Sequence, residues 1–390
     1  MLTSNLGNGL AYWYAAAALV SATAMPANAQ TPAVASALSQ QGEESRPPDY
    51  ANARARTLPL NRSYSRETLK KDVRAALERD GAGVQNPPAE SSPGDGKQLG
   101  TAVRLPPPKA QAADGPENFG TAGLPFSTAR ADLDPAATNT LWPYRAAGKL
   151  FFVDGKDSYV CSASLIDRGL VLTAAHCVAE FGAKRMFSEW RFVPGYRNGD
   201  APFGNWSAQK AYVLAAYPDG TAPCDSGVVC RDDIALLVLQ PQADDTGQPY
   251  YAGQRTGWFS HISGPQPFAA SGLTHVTQLG YPVCLDNGAL MQRNDAQAVV
   301  SADNRNNTVM GSLMCGGASG GPIIANFGIK PALTSTTEGS FGIPNMVIGV
   351  TSWGTQDPEV KQQGASPFLS TNIDFLVKAA CREYPKACTF

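Results

Sequence analysis

The chain has 390 residues, enough for two domains of ordinary size with further segments. Its formal net charge of −2 supplies no global field toward nucleic acid or an anionic membrane. With 38 glycines, 30 prolines and only 16% charged residues, it suits a loop-rich β protein with long irregular parts.

Residues 1–29 have the pattern of a secretory signal peptide. An apolar stretch from Leu10 to Ala24 is followed by Ala27-Asn28-Ala29, a small-residue cleavage pattern, although no Lys or Arg precedes the stretch. No later apolar run is long enough to span a membrane, so no stable membrane insertion is expected after signal cleavage. Eight cysteines agree with export, to a secreted or periplasmic location.

Residues 30–123 are rich in Pro, Ala, Ser, Gly and Gln and poor in large apolar groups, so a largely disordered pro-segment or linker is expected. One helix stands out from Glu67 to Arg79. Leu69, Val73, Ala76 and Leu77 share a face there, and Ser65 is placed as N-cap. Residues 124–390 form the expected folded domain. Its strands are predicted at 148–153, 160–166, 170–173, 190–193, 208–216 and 234–239, with a short helix at 174–180. A second series follows Trp258, at 274–280, 290–300, 309–314, 322–324, 345–353 and 367–371. Asn372 to Arg382 then forms a terminal helix with Ile373, Leu376, Val377 and Ala380 on one face.

Three strings carry chemistry. Leu172-Thr173-Ala174-Ala175-His176-Cys177 holds a histidine, Asp233-Ile234-Ala235-Leu236-Leu237 an acid opening an apolar run, and Gly317-Ala318-Ser319-Gly320-Gly321-Pro322 a serine in a glycine-rich turn. A serine hydroxyl is a poor nucleophile until a base takes its proton, and a carboxylate fixes the tautomer of a histidine base. Backbone N–H groups of Gly317 and Ser319 are the candidate donors to a developing oxyanion. Asp232 is adjacent to Asp233, but Asp233 directly precedes the apolar run. His261 and His275 lie outside any motif. With no CxxC pair and only three histidines, a structural zinc site is not expected.

Together with Cys161-Ser162-Ala163-Ser164-Leu165-Ile166 and Thr351-Ser352-Trp353-Gly354, these strings resemble the trypsin/chymotrypsin-like serine proteases over residues 120–380. Phe192-Val193-Pro194-Gly195-Tyr196 and Gly280-Tyr281-Pro282 are similar to the bacterial branch that includes the V8-like glutamyl endopeptidases. The resemblance implies an all-β fold: two packed six-stranded antiparallel β-barrels, about 146–240 and 258–371, with a C-terminal helix. It implies an exported serine endopeptidase with catalytic His176, Asp233 and Ser319, acting on protein or peptide substrates through an acyl-enzyme, without metal or organic cofactor. The N-terminal segment becomes a candidate pro-segment of a zymogen.

The resemblance also implies that Cys161 and Cys177 close the histidine loop. Cys224 with Cys230, and Cys381 with Cys388, are near enough in sequence to staple short loops, and Cys284 and Cys315 remain for each other. Ser352, Trp353 and Gly354 are implied as an edge strand that pairs with substrate. Two departures bear on activity and specificity. Ala318 stands where the activated vertebrate-type enzymes carry an Asp that pairs with the new N-terminus. Leu313 and Thr351 stand where trypsin-type and glutamyl-specific relatives carry an Asp and a His, so neither basic nor Glu specificity has its expected determinant. Phe368 is placed near the strand walling the pocket. The rival readings are a serine hydrolase of non-protein esters and a non-catalytic binding module.

Overall fold

The computed structural model describes residues 36–42, 46–61, 67, 71, 91–98, 103–106, 124–132, 137–222, 224–225, 229–263, 273–300, 308–329, 343–355 and 360–389. The signal expected at 1–29 lies outside them. So does the helix expected at 67–79, apart from Glu67 and Lys71, which are helical.

Six strands build the first barrel: β1 (Ala147–Asp154), β2 (Asp157–Leu165), β3 (Leu170–Thr173), β4 (Ser188–Pro194), β5 (Trp206–Leu214) and β6 (Ala235–Leu239). Their order is β5-β4-β1-β2-β3-β6, and β6 pairs back onto β5, so the sheet closes. The second barrel contains β7 (Leu273–Gly280), β8 (Gln292–Val300), β9 (Thr308–Gly311), β10 (Pro322–Ala325), β11 (Met346–Thr355) and β12 (Gln362–Pro367). The order β11-β10-β7-β8-β9-β12 closes through β12 on β11. All barrel neighbours are antiparallel, and closure leaves no free edge among the twelve strands. The two six-stranded barrels are those implied by the resemblance.

The terminal helix, Ile373–Glu383, lies one residue from its predicted bounds. Asn372 caps it, accepting from the Ile373 N–H at 2.5 Å and the Leu369 N–H at 2.7 Å. Ile373, Leu376, Val377 and Ala380 face inward as their spacing predicts, onto β5 and β6. That cover explains why β6 is buried on both faces and reads as a continuous apolar run.

Two elements differ from expectation. The predicted helix at 174–180 is a single 3₁₀ turn, Ala175–Cys177. The last strand is Gln362–Pro367, not 367–371. Its buried positions are glutamines, glycine, alanine and serine, so it carries no apolar alternation, and Phe368 just beyond it packs into the core.

Among the described residues, pieces of the proline-rich N-terminal region pair with strands of the folded domain. Ala37–Gln41 pairs antiparallel with β5, Arg54–Ala55 parallel with β2, Leu60–Asn61 parallel with β11 and Val103–Arg104 with Asp200–Ala201, while Phe126–Arg130, inside the domain expected from 124, pairs with β8. Main-chain pairing needs no apolar pattern, which is why composition did not reveal it.

Lys149 on β1 is the one lysine among the large fully buried side chains of the described residues. Its ammonium donates to the Gly288 carbonyl at 2.7 Å and sits over the Tyr196 and Phe151 rings at 4.9 and 5.4 Å. Burial nevertheless pushes its pKa from 10.5 down to about 7. Between those values the unfolded chain holds a proton that the folded one has released, so this contribution to stability grows as pH rises from 7 and is lost as pH falls back to 7. Lys149→Met removes the dependence. Urea denaturation of both proteins across this range is expected to show the variant's relative stability falling as pH rises; a constant difference contradicts the assignment.

Candidate active site

The 3₁₀ turn after β3 carries His176, and Asp233 lies just before β6, which pairs with β3. This pairing sets the two side by side. Asp233 Oδ1 accepts the His176 backbone N–H and Oδ2 lies against His176 Nδ1, both at 2.8 Å. Ser352 Oγ on β11 donates to the same Oδ2 at 2.6 Å. Asp233 is fully buried, so its charge needs these donors. With Nδ1 committed to the carboxylate, the neutral ring keeps its lone pair on Nε2. That Nε2 is buried and unpartnered. Asp232 instead pairs with Arg231 at 3.5 Å and makes a hydrogen bond with Asn372, and burial pushes its carboxyl up.

Ser319 is fully buried, and its Oγ also has no hydrogen-bond partner. Its turn packs against the strand leading to His176: a Cβ on Gly320 would fall 2.0 Å from Thr173 Oγ1 and 2.8 Å from the Ala174 nitrogen. Since Ala318 cannot form an ion pair, other groups order this turn. Ser162 on β2 donates its hydroxyl to the Gly317 carbonyl at 2.8 Å and accepts the Tyr281 N–H at 2.9 Å, while its own N–H donates to the Ser319 carbonyl at 2.8 Å. Thr351 bonds Gly320 and Gly321 from the other side. The Gly316 carbonyl accepts the Val283 N–H at 2.9 Å. In a trans peptide this sends the Gly317 N–H the opposite way, toward the cleft. Gly317 has φ +93°, and a Cβ there would meet the Tyr281 carbonyl at 2.6 Å, so only glycine suits.

Disulfides brace both halves. Cys161–Cys177 ties β2 to the histidine turn, Cys284–Cys315 ties the Val283 loop to the serine turn, and Cys381–Cys388 holds the C-terminus. Cys224 lies opposite Cys230 in a two-stranded ladder, and their side chains are outside the described residues. Cys161, His176 and Cys177 also group their ligand atoms, but the sulfurs are bonded to each other and offer no thiolate to a metal.

The family profile described as Trypsin matches residues 135–374, more than half of the chain. The chain belongs to the trypsin family. Membership makes it a serine endopeptidase. Similar solved structures include a protease from Arthrobacter nicotinovorans, with 22% identity over 61% of this chain and 94% of that one and a TM-score of 0.43. A thermostable serine protease from an extremophilic microorganism is 21% identical over 58% of this chain and 93% of that one, with a TM-score of 0.44. A Glu endopeptidase is 16% identical over 67% of this chain and 98% of that one, with a TM-score of 0.46.

In this trypsin-family chain the expected substrate-side residues occupy β11 and the segment before the serine turn. Trp353 is buried against Gly364, where a Cβ would meet the indole at 2.0 Å. Gly354 presents its N–H to the Pro59 carbonyl at 3.0 Å. Leu313 is half-buried beside the Cys284–Cys315 disulfide. Thr351 points into a buried network that the sequence did not signal: Gln278 Nε2 donates to Thr351 Oγ1 (2.8 Å) and Gln363 Oε1 (2.6 Å), Ser312 Oγ donates to Gln278 Oε1 (2.8 Å), and Gln363 Nε2 donates to the Met314 carbonyl (2.7 Å). All of these groups are neutral. Their separation along the chain, and the lack of any motif linking them, hid the cluster.

Ser162→Ala removes the hydroxyl shared by the Tyr281 N–H and the Gly317 carbonyl. Leaving such groups unpaired costs about 1–3 kcal/mol each, so kcat is expected to fall on the order of tenfold or more. Ser162→Thr should recover part of it. Unchanged kcat in Ser162→Ala would show that the turn is held without this hydroxyl.

Proposed function

We propose that the chain is an exported endopeptidase in which Ser319 attacks the scissile carbonyl as His176 Nε2 takes its proton. The reading is carried by a buried His176 locked on Asp233, with Nε2 and Ser319 Oγ both buried and unpartnered. Asp233 holds the ring orientation and stabilises the imidazolium. Gly317 and Ser319 N–H groups receive the oxyanion, His176 returns the proton to the leaving amine, and a water activated by the same ring resolves the acyl-enzyme. The acyl half of the substrate lies along Ser352–Gly354, and the leaving half passes toward β2. Residues 1–29 direct export, into a compartment oxidising enough for the disulfides. No residue role in this cycle calls for a metal or organic cofactor.

Ser319→Ala is expected to remain folded while its kcat on casein falls on the order of 10⁴-fold or more, and a fluorophosphonate should label the parent but not the variant. Retained hydrolysis would remove Ser319 from the nucleophile role. The same measurements separate an endopeptidase from an esterase, which would prefer non-protein esters, and from a binding module, which would not label.

The neutral amides and hydroxyls around Thr351, together with Leu313, offer no counter-charge to a cation or carboxylate. Small or apolar residues are therefore expected before the cleaved bond. Among matched peptides, those with Leu, Phe or Ala there should exceed Arg and Glu in kcat/KM by about tenfold or more, since an unpaired buried charge costs several kcal/mol. A preference for Arg or Glu would place an ionic partner in the pocket.

A further inference from the structure

We infer that residues 54–61 are a self-inhibitory strap lying in the substrate cleft with the opposite chain direction to a substrate; this rests on the peptidase reading above. A cleft of about 430 Å³ is lined jointly by His176, Tyr159, Tyr217 and residues 54–59. Three main-chain bonds hold the strap that forms one wall of it. The Arg56 N–H donates to the Val160 carbonyl at 2.9 Å, the Arg56 carbonyl accepts the Gly317 N–H at 3.2 Å, and the Pro59 carbonyl accepts the Gly354 N–H at 3.0 Å. The strap therefore uses a donor assigned to the oxyanion and the strand assigned to the acyl half of a substrate.

Side chains anchor both ends. Leu58 is 1% exposed and packs with Cys315 and Val283. The Arg56 guanidinium lies over the Phe187 ring at 4.9 Å and 3.5 Å from Asp154. Arg54 pairs with Asp157 at 2.6 Å.

Direction follows from register. Ala55 lies opposite Val160 on β2 and Leu60 opposite Gly354 on β11, and both pairings are parallel. The strap meets β2 first, the Gly317 N–H next and β11 last, whereas a substrate in the proposed orientation meets β11 first. The nitrogen of Thr57, which would have to leave if the Arg56 carbonyl were attacked, therefore falls on the acyl side. The Arg56–Thr57 peptide therefore takes up the Gly317 N–H without being presented for cleavage.

The test compares the full exported chain with Leu58→Asp, and with a variant in which residues 54–61 are replaced by Gly and Ser at equal length. A strap in place nine-tenths of the time lowers apparent kcat/KM about tenfold, so both variants should hydrolyse a small peptide substrate and label with fluorophosphonate about tenfold faster or more. A synthetic peptide of residues 52–62 should reverse the gain and be recovered uncut. In the Ser319→Ala background, the same peptide should bind the Gly/Ser variant and slow amide exchange at Gly317 and Gly354. Rates unchanged within about twofold in both folded variants overturn inhibition by the strap. Cleavage of the peptide at Arg56–Thr57 overturns the reversed direction. If no protein labels while the peptide still protects Gly317 and Gly354, the peptidase reading and inhibition fail together and occupancy of the cleft by the strap is upheld.

Discussion

The site depends on one hydroxyl at the junction of the two barrels. Ser162 belongs to β2 of the first barrel, while Tyr281 and Gly317 belong to the second, and its Oγ bonds both. Each barrel closes on itself, so neither can align the other's catalytic groups through sheet pairing. The hydroxyl transfers register between them, and the adjacent N–H to the Ser319 carbonyl repeats the constraint one atom away from the nucleophile's own side chain. Because all these groups are buried, misalignment would strand polar atoms without solvent, and the cost of that is what makes a few bonds specify the geometry.

The same economy explains how a serine turn is ordered without an acid beside it. The Gly316–Gly317 peptide is held from behind by the Val283 N–H, and the Cys284–Cys315 bridge keeps that loop in place. The orientation of a single peptide plane therefore rests on neutral partners and a covalent tether. Such an arrangement needs no newly formed chain terminus, so the turn can hold its shape in the uncleaved chain.

Much of the fold was legible because barrel strands rich in Val, Leu and Ile announce themselves, and the three chemical strings sit at their ends. His176 and Asp233 were readable since β3 and β6 are short apolar runs that immediately precede or follow them. Gln362–Pro367 was not, because the buried Gln363 is satisfied by Gln278 and the Met314 carbonyl, and buried polarity looks like exposed polarity in one dimension. Ser162 stood inside a recognised string, but nothing local distinguishes a hydroxyl that crosses between barrels from any other strand serine. The ordered pieces of the N-terminal region escaped for a further reason: backbone hydrogen bonding to an existing strand leaves almost no imprint on side-chain choice.

Those pieces have a kinetic consequence. Arg54–Ala55 emerges early in synthesis, yet the N-terminal region also pairs with β5 and β11, the latter near the end of the chain. Contacts between such distant segments carry a large loop-closure cost and form late, after the barrels that template them. These paired pieces are therefore expected to close over barrels already made rather than to nucleate them. Their arrival marks the completion of folding, and a chain whose second barrel is unfinished would present them with no β11 to join.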